Sequence, residues 1–285
     1  MSVFFTDTDC EMYFTDAEEL GMSVIGMPYT IKGEEKIYDF GKNTNIAEFY
    51  EQMRNGEIVT TSALNSQDYL NYFEPVLARG EDVLYVHFSS ELSGTFNYMQ
   101  TAINILNEKY PDRKITVFDT KNISLGGGIQ AIEACKLHNK GVSDEDVVKF
   151  LTEFKNKIAV YFYVDSLQYL KRGGRISSVS AFFGEALNIK PILTVTGEGK
   201  LDKLCTVKGT KKALDFLLTK FNFEYGNNDE YETYIIDADN KIVGDELAEK
   251  VRATGKNVKI RRLSVGPVVG AHAGPGTIGI IFVKA

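Results

Sequence analysis

Alternating strand and helix patterns in the first half of the chain predict an α/β fold. The expected architecture is a mainly parallel sheet in an amino-terminal domain, followed by a second α/β domain with a mixed sheet. Three observations carry this. Short apolar, β-branched runs beginning at Ile58, Val83 and Ile115 each lead into a helical spacing. A length of 285 residues suits one large domain or two of ordinary size. Beyond Lys155-Asn156-Lys157 the character changes, with Pro191 at a strand start and Gly197-Glu198-Gly199-Lys200 as a hairpin turn. The domains are accordingly drawn at 1–160 and 161–285.

Taken in order, residues 3–5 form a short strand ending in Thr6-Asp7-Thr8-Asp9. Residues 22–27 suit a second strand and 29–38 a hairpin around Lys32-Gly33-Glu34-Glu35. Helices are predicted over 46–55 and 67–79. Residues 83–88 read as a buried strand. After Glu91 the spacing of Leu92, Phe96, Met99, Ile103 and Leu106 predicts a helix. Residues 115–118 are a strand, and Ser124-Leu125-Gly126-Gly127-Gly128 opens a helix to Asn139. A helix over 143–154 begins with a cap and first-turn acids at Ser143-Asp144-Glu145-Asp146. The second half reads as strand 158–164, helix 165–170, small apolar helix 179–187 with Phe182 and Phe183, and strands 190–195 and 201–207. Helix 210–221, strand 231–238, helix 241–253 and strand 258–265 follow, before a closing glycine-proline loop.

Composition excludes several functions. Net charge is −7 with a pI near 5.2, which disfavours a nucleic-acid partner. Cys10, Cys135 and Cys205 are far apart and form no CxxC, so reduced thiols in a cytoplasmic protein are expected, not a disulfide framework or zinc site. Neither a signal peptide nor an integral membrane segment is read, and contact with a membrane surface would be transient. The glycine run at 126–128 is neither a Walker loop nor G-x-G-x-x-G, so no nucleotide is expected on this chain.

Hydroxyl residues recur where strands end. Phe88-Ser89-Ser90-Glu91-Leu92-Ser93-Gly94-Thr95 puts serines, a glycine and a threonine before a helix. Free N–H groups there suit an anion, with Ser93 or Thr95 adding side-chain donors; Ser89 or Ser90 equally suits an ordinary N-cap. Thr61 follows another strand, where the alternatives are a ligand bond or capping by Ser62 or Ser66. Asp7 and Asp9 fit a turn and N-cap, a ligand crevice or a metal. Lys171-Arg172-Gly173-Gly174-Arg175 is either a solvated turn or a place for an anion or partner protein. His272, between glycines and small residues, is either structural or open to a ligand.

These stretches together resemble the DegV family of bacterial fatty-acid-binding proteins over essentially the whole chain. Residues 89–95 resemble its SSxLSGT signature, and 6–9 its opening D-S/T-x-D. Thr61-Ser62-Ala63-Leu64 resembles TS-x-P, with Leu64 where proline is common. Tyr169 to Ser177 resembles YLKxGGRIS, residues 190–193 KPIL, and the stretch from Val265 to Gly279 the closing VGPVIGxHxGPGxxG. Lys208 stands where many relatives carry arginine; lysine keeps the charge and loses the bidentate fork.

The resemblance implies a two-domain DegV-like fold with the ligand between and within the domains. It implies a long-chain fatty acid in a buried tunnel, its carboxyl held by Thr61, Ser62, Ser93, Gly94 and His272. Arg175 and Lys208 are expected to contact ligand or partner. The implied partner is a separate ATP-binding fatty acid kinase that makes acyl-phosphate for phospholipid synthesis. The chain itself is then no enzyme, with no catalytic residue, cofactor or metal. The alternatives are a serine hydrolase using Ser93 and His272, against which Leu92-Ser93-Gly94 is no G-x-S-x-G elbow, and a regulator binding another small anion.

Overall fold

The computed structural model describes residues 2–175, 188–226 and 229–285. The chain divides into two compact units, Met1–Thr44 with Thr61–Lys155, and Asn45–Thr60 with Asn156–Ala285. In chain order, β1 (Ser2–Asp7) and a 3-10 turn (Thr8–Cys10) lead to α1 (Phe14–Glu19), β2 (Ser23–Ile25), β3 (Pro28–Ile31) and β4 (Glu34–Ile37). Then come α2 (Ile46–Arg54), β5 (Thr60–Thr61), α3 (Ser66–Ala78), β6 (Asp82–His87), α4 (Thr95–Lys109) and β7 (Ile115–Asp119). Next are α5 (Leu125–Asn139), α6 (Asp144–Phe154), β8 (Ile158–Tyr163), α7 (Gln168–Arg172), β9 (Ile189–Val195) and β10 (Leu201–Lys208). The last elements are α8 (Thr210–Glu224), β11 (Glu232–Asp237), α9 (Lys241–Arg252), β12 (Lys259–Ser264), α10 (Pro267–Ala273) and β13 (Ile278–Val283).

The first unit holds the parallel sheet, in the order β2-β1-β6-β7 with every neighbour parallel. Its middle strands are buried runs, with Val83, Leu84, Tyr85 and Val86 fully covered, as strands under helices must be. Phe5 meets Phe73 of α3 edge to face at 5.4 Å, and Phe73 lies 5.8 Å from Tyr85.

The glycines of α5 have a packing reason. A Cβ at Gly128 would fall on the backbone carbonyls of Cys10 and Glu11, and one at Gly127 would lie 2.9 Å from Cys10 Sγ. Helix α5 therefore rests directly on the turn after β1. Ser124 holds a left-handed φ of 53° at the start of this helix, and its hydroxyl donates to Glu11.

The second unit carries a sheet of order β10-β9-β8-β13-β11-β12. Only β11 and β12 pair in parallel; the other neighbours are antiparallel. Phe221, Tyr225 and Phe282 form its aromatic centre, with Leu214, Leu217 and Ile280 fully buried around them.

The structure corrects several sequence expectations. The strand expected from Ile58 is only Thr60–Thr61. The helix expected after Glu91 begins at Thr95, because a short 3-10 turn (Ser90–Leu92) intervenes. The closing glycine-proline segment is not a loop throughout. Residues Pro267–Ala273 are helical, with Pro267 at the helix start, and Ile278–Val283 is a buried strand between β8 and β11. Gly279 permits that strand's position, since a Cβ there would lie 2.9 Å from Ile236 Cγ1. The helix expected over 179–187, with Phe182 and Phe183, lies outside the described residues.

Candidate functional site

The first unit's sheet reverses its strand order between β1 and β6, so the crevice beyond their carboxyl ends is where an α/β sheet takes a ligand. Asp7 closes the bottom of it. Its carboxylate accepts from the N–H groups of Asp9 (3.0 Å), Cys10 (3.2 Å) and Phe88 (3.1 Å) and from the Tyr85 hydroxyl (2.9 Å). Burial pushes its pKa up to about 7, against the pull of those bonds. Four protein donors fill its four acceptor positions, so the turn and N-cap reading of Asp7 holds and a metal or ligand role does not.

Two hydroxyl turns stand above this. In the first, buried Ser89 caps the 3-10 turn by accepting from Glu91 N–H. Ser90 is engaged sideways, donating to Asp119 at 2.5 Å and accepting from Lys121 at 3.1 Å. Ser93 is half-buried and accepts from Thr95 N–H at 3.3 Å. Helix α4 starts behind it with Gly94 at its cap, no side-chain cap bond and no acid in its first turn. A Cβ at Gly94 would meet nothing within 4 Å, so the backbone there faces open space. Apart from the Thr95 N–H held by Ser93, the geometry at this helix start is of the kind that suits an anion.

In the second turn, Thr61 is half-buried and Ser62 exposed. Capping by Ser62 or Ser66 is not what the structure shows. Asn65 and Asp68 form a capping box on α3, and the Ser66 hydroxyl donates to Tyr98 O. Thr95 fastens the two turns together. Its buried hydroxyl donates to Leu64 O at 3.2 Å and meets Tyr69 Oη at 2.9 Å. The sequence reading of Thr95 as a ligand donor is thereby corrected, because its hydroxyl points into the protein.

In the second unit, His272 sits in the last turn of α10 and lies against the backbone of Gly173, where a Cβ would overlap the imidazole. Arg175 donates from Nη1 to Gly173 O at 2.6 Å. Burial, with the neighbouring Arg175 charge, lowers the His272 pKa to about 4, so the ring is neutral at pH 7. His272 therefore offers a neutral donor or acceptor beside a fixed guanidinium. The same segment supports the closing turn: Gly274 and Gly276, both at positive φ, pack against Tyr169 and Asp165, and Asp165 pairs with buried Lys190 at 2.5 Å. Arg172 lies 5.3 Å over the Tyr169 ring.

The structure thus joins the Thr61-Ser62 turn to Ser93-Gly94 in one unit, and His272 to Arg175 in the other. Lys208 enters neither set of contacts among the described residues. It is exposed at the end of the edge strand β10, opposite Ile189. Sequence reasoning missed Tyr69 and His87. His87 is buried, its pKa lowered to about 4 by desolvation, and stacked on Phe96 at 4.1 Å; its place inside an apolar strand run was the available sign. Among the described residues no group of three or more His, Cys, Asp or Glu could hold a metal, and no helix is long and apolar enough to cross a membrane.

A model of the DegV family matches residues 3–285. A DegV domain-containing protein of Clostridium perfringens is 35% identical over 280 residues, covering 98% of this chain and 96% of that one. One from Lactococcus lactis is 33% identical over 270 residues, covering 92% and 91%. Among solved structures, a fatty-acid-binding DegV family protein from Thermus thermophilus superposes with a TM-score of 0.86 at 28% identity, covering 99% of both chains. DegV of Bacillus subtilis, described as a fatty acid binding protein, gives 0.83 at 27% identity, also over 99% of both.

Proposed function

The chain belongs to the DegV family, and from that premise we propose that it binds a long-chain fatty acid and presents the carboxyl group to a separate, ATP-using fatty acid kinase. The observation that carries the reading is the pair of fastened hydroxyl turns at the open N-terminus of α4. Solved relatives of this chain, described as fatty-acid-binding, support the choice of ligand.

The chemistry is consistent with that role. A buried carboxylate is costly unless donors meet it. Ser93, Thr61 and Ser62 hydroxyls, with the backbone at Gly94 and the helix dipole, would supply them. A tail of roughly 15 methylenes contributes on the order of 12 kcal/mol before ordering costs, so affinity rests on the tail and orientation on the head. His272 and Arg175 are proposed to serve product formation, and Lys208 to meet the partner. The glycine-rich start of α5 supports assigning ATP to the partner, because it packs against Cys10 and Glu11.

The purified chain with ATP and a long-chain fatty acid is expected to make no acyl-phosphate, and to yield it once a fatty acid kinase is added. ATP-dependent product from the chain alone would reject the carrier role.

A further inference from the structure

Asp7, Tyr85, Tyr69 and Thr95 come from β1, β6, α3 and α4, and all four are essentially without solvent exposure. Each hydroxyl has one hydrogen to give. Thr95 gives its hydrogen to Leu64 O, so the Tyr69 hydroxyl must donate to Thr95. The Tyr85 hydroxyl gives its own single hydrogen to Asp7 at 2.9 Å, so it has none left for Tyr69. Asp7 in turn is fixed by three backbone N–H groups.

Resting on the fatty-acid reading above, we infer that Tyr69, acting through Thr95, is a positioning residue for the carboxyl site. Its buried hydroxyl donates to Thr95, which donates in turn to Leu64 O. Neither residue touches the ligand. The effect is to hold Thr95 in the one orientation that ties Leu64 O to the start of α4. That tie sets Thr61 and Ser62 relative to Ser93 and Gly94, which lie on either side of it in sequence. No water reaches Thr95 to replace a lost partner, so removing the Tyr69 hydroxyl leaves a buried acceptor unmet and frees the threonine to turn. A misaligned donor set weakens recognition of a charged head and leaves the apolar tail alone.

The test uses the full chain and two probes sharing one tail, oleic acid and methyl oleate, measured by displacement of a fluorescent fatty-acid analogue. Tyr69→Phe is expected to bind oleic acid about tenfold more weakly, the scale of one net hydrogen bond, and methyl oleate as wild type does. Thr95→Val should do the same. The double variant should be no weaker than the weaker single one, because both remove the same tie. Equal weakening for acid and ester, no weakening for either, or additive losses in the double variant would each overturn the inference. Failure of the wild-type chain to bind oleic acid is a separate result. It would overturn the fatty-acid reading first and the positioning role with it, before any variant is compared.

Discussion

Ser93→Ala is expected to keep its bound fatty acid and to lose more than tenfold of the product made with a fatty acid kinase, and His272→Ala to do likewise. The separation follows from magnitudes. One hydrogen bond to a charged group is worth roughly 1.5–3 kcal/mol, against on the order of 12 kcal/mol for burying the tail. Losing the head contact therefore shifts where the carboxyl sits without emptying the protein. Ser93 makes one backbone bond, to Thr95 N–H, so the fold is indifferent to it. His272 is different, because its neutral ring fills the space over Gly173. Its removal leaves a void that lowers stability by about 1–3 kcal/mol. Occupancy is measured by mass spectrometry of released lipid and product by acyl-phosphate formation, both well below the melting temperature. Full product from either variant at unchanged occupancy would remove that residue from the reaction.

Gly128→Ala is expected to destabilise the chain by about 3 kcal/mol or to stop it folding. The added methyl would lie on the carbonyl oxygens of Cys10 and Glu11, and these are backbone atoms that cannot rotate away. Relief requires α5 to lift off the turn after β1. That turn follows Asp7, whose carboxylate collects four donors, two from the turn itself, one from β6 and one from Phe88 just after it. The strain therefore reaches the floor of the crevice. Gly197→Ala is the control: a Cβ at Gly197 meets nothing within 4 Å, so a change within about 0.5 kcal/mol is expected. Urea midpoints of the two variants and wild type decide it. Equal midpoints would mean that α5 does not rest on this turn as described.

Two strands of the first unit's parallel sheet were readable because each apolar run beginning at Val83 or Ile115 is followed by helical spacing, a local pattern. The last strand was not. Ile278 to Val283 is apolar on both faces and follows glycines and a proline, so no alternation marks it. Helix α10 escaped for a related reason: Val268, Gly270, Ala271 and Ala273 are small and mostly buried, which leaves no amphipathic stripe. The grouping of Asn45–Thr60 with the second unit is a tertiary property. It rests on Tyr50 donating to Val265 O at 2.9 Å and on Gly270 admitting the Tyr50 ring, neither of which has a local signature. At the candidate site, sequence located the hydroxyls but could not tell inward from outward. Thr95 and Ser93 look alike in a row of hydroxyls, and only the buried Tyr69 partner separates them.

The most direct measurement is the identity of what the purified chain carries. Extraction and mass spectrometry are expected to give a long-chain fatty acid at about one per chain, replaceable by added oleic acid. A chain that carries no lipid and takes up none, or that carries a small polar anion in its place, would contradict the account.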